Sequence, residues 1–283
     1  MISSVMQLKD KIRNMSDGNS NKTQTLLRNY MMERFLERIS LSPYKDKFIL
    51  KGGMLVSAVV GVNYRSTMDI DTTVNAITLN LDNATRIINE IISIDLSDGV
   101  SFVIKSSSDI MEEFDYSGLR FMLEASFDGI KQAIKIDIST GDVITPSAIM
   151  RDYKLMFEDR IITIKSYNIE TLIAEKIETI MSRGSANTRM RDFYDVYQIW
   201  NLENQKLNKN YLTKAFYQTS LKRNTFDLFE NVDKILDNVL NDQTMKRNWD
   251  NYSLSTYYVG DLSWDEVNKT IHIIFDEIKK SLQ

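Results

Sequence analysis

The sequence predicts an α+β fold, with strands and helices interleaved over residues 1–166 and an all-helical region over residues 167–283. Three observations carry that prediction. Short apolar and β-branched runs, such as Phe48-Ile49-Leu50 and Ile161-Ile162-Thr163-Ile164, alternate with helical periodicities as far as Ser166. After Tyr167 every periodic stretch is helical. Only two prolines, Pro43 and Pro146, interrupt the 283 residues, as expected of a chain rich in helix. The length suits one large or two modest domains at roughly 100–200 residues each, and 43% hydrophobic with 26% charged residues is a globular composition.

The elements follow in order. A weakly amphipathic helix over about 4–15 ends at the turn-rich cluster Ser16-Asp17-Gly18-Asn19-Ser20-Asn21. In the second helix Leu26, Leu27, Tyr30, Met31, Phe35 and Ile39 recur near helical spacing, until Ser42-Pro43 stops it. Phe48-Ile49-Leu50 is a buried strand, Lys51-Gly52-Gly53 a turn, and Met54–Val60 an apolar helix. Ser66–Val74 reads as a strand, about 80–94 as a helix, and about 100–105, 119–127 and 131–139 as strands closed off by Gly141-Asp142. After the strand Ile161–Ile164, Asn168 is placed to cap a helix over about 169–182. A second helix covers about 189–203. Several more occupy 207–283, with an irregular piece near Asn251–Gly260.

Composition removes several chemistries. Without cysteine there are no disulfides, thiol nucleophiles or cysteine-held zinc or iron–sulfur centres. The single histidine, His272, rules out multi-histidine metal sites. Its setting, Ile271-His272-Ile273-Ile274-Phe275, reads as a partly buried helix position rather than a catalyst. Acid–oxygen chemistry is well stocked, with 39 Asp+Glu against 35 Lys+Arg. The net charge of −4 argues against bulk attraction to nucleic acid, though not against a local basic patch. No run approaches a membrane span, and the first ten residues lack the basic-then-apolar pattern of a secretory signal. A cytoplasmic protein is expected.

Four features could carry chemistry. In Asp69-Ile70-Asp71, strand alternation sets both carboxylates on one face, where a divalent cation would offset their repulsion. Lys51-Gly52-Gly53 lies between a strand and a helix, where free amides attract phosphate. In Ala133–Ser139, Lys135, Asp137 and Ser139 share the face opposite Ile134, Ile136 and Ile138, which brings a third acid onto the sheet. Finally, Lys176 lies in a helix whose core stripe is Ile173, Ile177 and Ile180, and Asp192 and Asp195 fall one turn apart in the next. Taken singly, each also fits a plainer reading: a solvated strand face, a tight turn, a half-exposed strand, and surface pairs such as Arg191–Asp195.

The order of these features resembles the nucleotidyltransferase superfamily with the DNA-polymerase-beta-like fold, and within it the AbiEii family of type IV abortive-infection toxins. Leu50-Lys51-Gly52-Gly53-Met54-Leu55 followed by Arg65-Ser66-Thr67-Met68-Asp69-Ile70-Asp71 is similar to that family's first motif. Ala174-Glu175-Lys176-Ile177 and Arg189–Tyr197 are similar to its later Lys and Arg-Asp motifs. The likeness covers about residues 20–275. The chain departs from the wider superfamily where many members carry a phosphate-contacting Ser: Gly53 and Met54 stand there, leaving backbone amides or Ser57 for the contact.

The resemblance implies a nucleotidyltransferase-type mixed sheet with flanking helices. It also implies transfer of a nucleoside monophosphate from an NTP, GTP or a pyrimidine NTP among the candidates. Asp69, Asp71 and Asp137 would hold two Mg²⁺ ions. Lys51, Gly52, Gly53, Arg65, Ser66 and Lys176 would bind the nucleotide, and Asp192 would be the family's later acid, orienting Lys176 or an Arg. The implied acceptor is RNA, tRNA above all, with Arg183, Arg189, Arg191, Lys131 and Lys135 as a modest basic surface. An antitoxin would act without a tight complex, on a monomeric toxin. Transfer to a small molecule or a protein, or a non-catalytic nucleotide-binding role, are the competing readings.

Overall fold

The computed structural model describes residues 2–111 and 117–282. They form two compact units, one of Met1–Val62, Ser66–Asp142 and Ala148–Ser166, the other of Asn63–Arg65, Val143–Ser147 and Tyr167–Gln283. Two short segments that precede residue 166 in sequence thus belong to the second unit.

The first unit contains α1 (Val5–Ser16), α2 (Ser20–Leu41), β1 (Phe48–Lys51), α3 (Gly52–Val60), β2 (Asp69–Val74), α4 (Leu81–Ile92), β3 (Val100–Met111), β4 (Ser117–Phe127), β5 (Ile130–Thr140), β6 (Ile149–Lys154) and β7 (Ile161–Ser166). The strands make one mixed sheet in the order β3-β4-β5-β2-β1-β7-β6. β2–β5 and β1–β7 are parallel and the remaining pairs antiparallel. One face of the central strands is apolar and buried: Ile70, Phe121, Leu123, Ile134, Ile136 and Ile138. α2 packs against β5 and β7, and α4 against β3. The alternation that buries these residues sends Asp69, Asp71, Lys135 and Asp137 to the other face.

Three local expectations are revised, and one strand, β6, is added. Gly52 and Gly53 do not form a separate turn; the helix begins at Gly52 directly from β1. β2 begins at Asp69, where its ladder to β5 starts opposite Lys135, and not at Ser66. β3 runs on to Met111, since Ser106–Ser108 hold their ladder to β4 without apolar side chains. β6 carries little apolar alternation because it is an edge strand, paired only to β7.

α2 is buried more completely than its apolar stripe implies. Glu33, Arg34, Glu37 and Arg38 are all inside, which is costly for charges unless they are paired. Arg38 forms two 3.0 Å bonds to Asp98 and donates to the Val100 carbonyl at 2.7 Å. Glu37 accepts from Arg160. Glu33 accepts the Met156 N–H at 3.0 Å and the Tyr153 hydroxyl at 3.3 Å. Burial outweighs these bonds and the nearby Arg34, and pushes the Glu33 carboxyl up to about 7.

The second unit contains α5 (Ile169–Arg183), α6 (Met190–Glu203), α7 (Lys209–Lys222), α8 (Val232–Asn241), α9 (Gln243–Ser255) and α10 (Trp264–Leu282). Asn168 caps α5, accepting the Thr171 N–H at 2.7 Å. Ile173, Ile177 and Ile180 are fully buried with Phe193, Val196, Phe216 and Phe275. The piece expected to be irregular from Asn251 is helical through Ser255. His272 is a half-buried residue of α10.

Candidate active site

Strand pairing in the first unit builds a rung of four charged residues across β1, β2, β5 and β4. Lys51 pairs with Asp71, Asp71 with Asp137, and Asp137 with Arg120. On the adjacent rung Asp69 pairs with Lys135. The Arg120–Asp137 register comes from the hairpin turn Asp128-Gly129, which joins Phe127 to its partner Ile130. Both turn residues have positive φ, 42° and 82°, the requirement of a type I′ turn, which Asp-Gly meets cheaply. Counting back from that turn places Arg120 opposite Asp137.

One oxygen from each of Asp69, Asp71 and Asp137 lies within 4.8 Å of the others, and all three side chains are half-buried. Asp71 feels the crowding most. Burial raises its carboxyl to about 6; the Asp69 carboxylate adds to the rise and Asp137 adds further. Lys51 and a hydrogen bond from the Gly53 N–H act in the opposite direction. Gly52 is what allows the Asp71 carboxylate to lie against the start of α3. Its φ is +62°, and a Cβ there would fall 2.1 Å from Asp71 Oδ2.

Basic side chains flank the acids. Arg120 grips Asp137 with two 2.8 Å bonds, Nε to Oδ1 and Nη2 to Oδ2. Lys135 Nζ lies 2.7 Å from Asp69 Oδ2 and 3.7 Å from Asp137 Oδ2. Lys51 Nζ meets Asp142 Oδ2 at 2.6 Å, and Ser139 Oγ bonds the same oxygen at 3.0 Å. The Thr67 hydroxyl is 3.1 Å from Asp69 Oδ1. Ser66, next to it, is half-buried. Three hard carboxylate donors converging on one face fit a divalent cation such as Mg²⁺, which favours oxygen ligands and accepts one or two carboxylates beside substrate phosphate.

The second unit holds the remaining sequence candidates. Lys176 of α5 bonds Asp192 Oδ1 at 2.7 Å and Asp195 Oδ2 at 2.8 Å, both on α6. Arg65 forks onto the same Asp195, with Nε 2.5 Å from Oδ1 and Nη2 3.1 Å from Oδ2. Asp195 is fully buried, Arg65 is 2% exposed and Lys176 8%. Burial alone would raise the Asp195 carboxyl, but Arg65, then Lys176, hold it below the ordinary range. Burial opposes the Lys176 charge, yet Asp192 and Asp195 keep its pKa above the usual lysine value. Tyr194, also buried, donates its hydroxyl to the Tyr64 carbonyl at 2.6 Å and so pins the segment that carries Arg65. Arg65 is therefore a buried brace on Asp195, and Asp192 is the half-buried acid that reaches Lys176.

The structure thus gathers Asp69, Asp71, Asp137, Lys51, Gly52 and Gly53 in one unit, and Lys176, Asp192 and Arg65 in the other. Lys135 and Asp195, which the sequence sets beside Asp137 and Asp192, join them, and so does Arg120, which the sequence reading does not contain. Lys135 was readable as a neighbour, two residues before Asp137 and hence on its face, and Arg120 from the Asp128-Gly129 turn. Asp195 is legible as the neighbour of Asp192 one turn on, but its pairing with Arg65, 130 residues away, has no local signal.

A family model described as Nucleotidyl transferase AbiEii toxin, Type IV TA system, matches residues 34–269. No curated protein matches the chain in sequence. Among solved structures, the chain is similar in fold to JHP933 from Helicobacter pylori, with a TM-score of 0.53 at 16% identity, covering 92% of this chain and 93% of that one. A candidate nucleotidyltransferase from H. pylori gives a TM-score of 0.52 at 17% identity, covering 92% and 96%. At such identities the likeness concerns the fold alone.

Proposed function

Because the chain belongs to the AbiEii family of nucleotidyltransferase toxins of type IV toxin–antitoxin systems, we propose that it transfers a nucleoside monophosphate from an NTP to an RNA acceptor, a tRNA, and thereby arrests growth in abortive phage infection. The observation that carries this reading is the convergence of Asp69, Asp71 and Asp137 within 4.8 Å, beside a helix that starts on a glycine pair. Such transfer needs alignment and charge neutralisation more than covalent help from the protein.

In this reading Asp69, Asp71 and Asp137 would hold two Mg²⁺ ions. Metal bound there would supply charge neutralisation for the phosphates and an easier deprotonation of the acceptor hydroxyl. Arg120 keeps both oxygens of Asp137 oriented. Gly52 lets Asp71 sit against the start of α3, and the α3 amides with Lys51 and Ser66 favour the negative phosphates. Lys176, fixed by Asp192 and Asp195, presents a charge that stays protonated at any physiological pH. Arg189 and Arg191, both exposed, offer the RNA backbone cationic contacts. No helix among the described residues is long and apolar enough to cross a membrane. The reading places the toxin as a monomer in the cytoplasm, with an antitoxin that acts on its effect.

Incubating wild type and Asp71→Asn with total RNA, Mg²⁺ and each of the four α-³²P-NTPs tests the proposal. Label on tRNA-sized RNA that the variant does not produce is the expected result. Label on small molecules or protein, with RNA bare, would replace the acceptor.

A further inference from the structure

Three acids held this close need compensation, and the fold supplies part of it from its own side chains. Arg120 approaches Asp137 from the β4 side with a planar fork that takes one oxygen per nitrogen, at 2.8 Å each. Lys135 behaves differently. Its ammonium reaches across from β5 to β2, 2.7 Å from Asp69 and 3.7 Å from Asp137. It therefore touches an acid on each of the two strands that a bridging cation would have to join. Its side chain is 27% exposed, so a way out to solvent is open. Four flexible methylenes let the charge swing while the backbone stays paired with Asp69.

Arg120 comes from the β4 side, but on the Asp69 side the Lys135 ammonium, 2.7 Å from Oδ2, would compete with a divalent ion for the same position, and like charges a few ångströms apart repel strongly in a half-buried site. We infer that Lys135 is a placeholder cation, which fills the Asp69–Asp137 side of the cluster when metal is absent, is expelled when a divalent ion binds there, and then turns to the phosphates of the substrate. Arg120 remains in place as a positioning residue on Asp137. The inference rests on the reading that the three acids are the metal site. It makes metal binding and substrate binding cooperative, since phosphate offers the displaced ammonium a new partner.

Titrating Mn²⁺ against wild type, Asp71→Asn, Lys135→Met and Lys135→Arg, with free Mn²⁺ followed by electron paramagnetic resonance, separates the two levels. Loss of binding in Asp71→Asn, with at least tenfold tighter binding in Lys135→Met and near wild-type binding in Lys135→Arg, is the expected pattern. Transfer activity should move the other way, with kcat/KM for the NTP falling in Lys135→Met and recovering in Lys135→Arg. If Asp71→Asn binds Mn²⁺ like wild type, the metal site itself is misassigned and the inference falls with it. If Asp71→Asn loses binding while Lys135→Met binds no more tightly than wild type, the placeholder role alone is overturned.

Discussion

Replacing Asp71 by Asn should make the metal-free protein more stable while removing its metal binding. In the folded protein the Asp71 carboxyl is raised from 3.8 to about 6, mainly by burial and by Asp69. An acid raised in this way costs stability in its charged form. The cost is absent below the unfolded value near 4, grows as pH rises, and is complete above about 6. At about 1.36 kcal/mol per pH unit the displacement corresponds to about 3 kcal/mol, an upper figure. Because the side chain is only half-buried, solvent screens part of it, and about 1–2 kcal/mol is a fair expectation. For a chain of this size that is a rise in Tm of about 2–6 °C. Asn keeps the shape and can still accept the Gly53 N–H. Thermal unfolding in EDTA, from pH 4 to 8, reads the effect. The variant should exceed wild type at pH 7–8, and the two curves should converge towards pH 4. A variant less stable than wild type at pH 8, or a gain that does not change with pH, would refute the electrostatic reasoning.

Further outcomes follow from the same contacts. Gly52→Ala drives a Cβ into the Asp71 carboxylate at a left-handed φ; it should abolish Mn²⁺ binding and lower the free energy of unfolding in denaturant by about 2 kcal/mol or more. Asp195→Asn leaves the buried Arg65 short of its counter-charge and should cost about 3–5 kcal/mol in chemical denaturation. Asp192→Asn, at a half-buried position, should cost under about 1 kcal/mol yet reduce kcat, which steady-state transfer assays resolve. Glu33, raised from 4.5 to about 7 by burial, should make wild type lose stability as pH climbs through that window. Glu33→Gln should flatten this part of the profile, by at most about 3 kcal/mol between pH 5 and 8.

Much of the candidate site's face is legible in sequence because strand alternation is a strict code. Asp69 and Asp71 fall together by alternation alone, and Lys135 shares a face with Asp137 for the same reason. The parallel pairing that sets Asp71 beside Asp137 depends on which strands are neighbours, and periodicity does not carry that information. Arg120 could have been placed by counting from Asp128-Gly129, a local signal that reaches across the hairpin. The interior of α2 is opaque to hydropathy, since Glu37, Arg34 and Arg38 read as a solvent face until Asp98, Glu158 and Arg160 arrive to pair them, and Glu33 until the Met156 N–H and Tyr153 hydroxyl do. β6 escaped notice because an edge strand need not alternate. The Arg65–Asp195 pair joins residues 130 apart in sequence, and no local pattern announces a contact of that range. The helical C-terminal stretch, by contrast, follows from the Ile173, Ile177 and Ile180 stripe and the Asn168 cap.

The measurement that bears most directly on the central claim is sequencing of tRNA 3′ ends from cells in which wild type or Asp71→Asn has been induced. Nucleotidyl transfer by the Asp69, Asp71 and Asp137 face predicts untemplated nucleotides on those ends in wild type, appearing with growth arrest, and unextended ends with continued growth in the variant. Growth arrest with unextended ends, or equal extension by Asp71→Asn, would contradict the account.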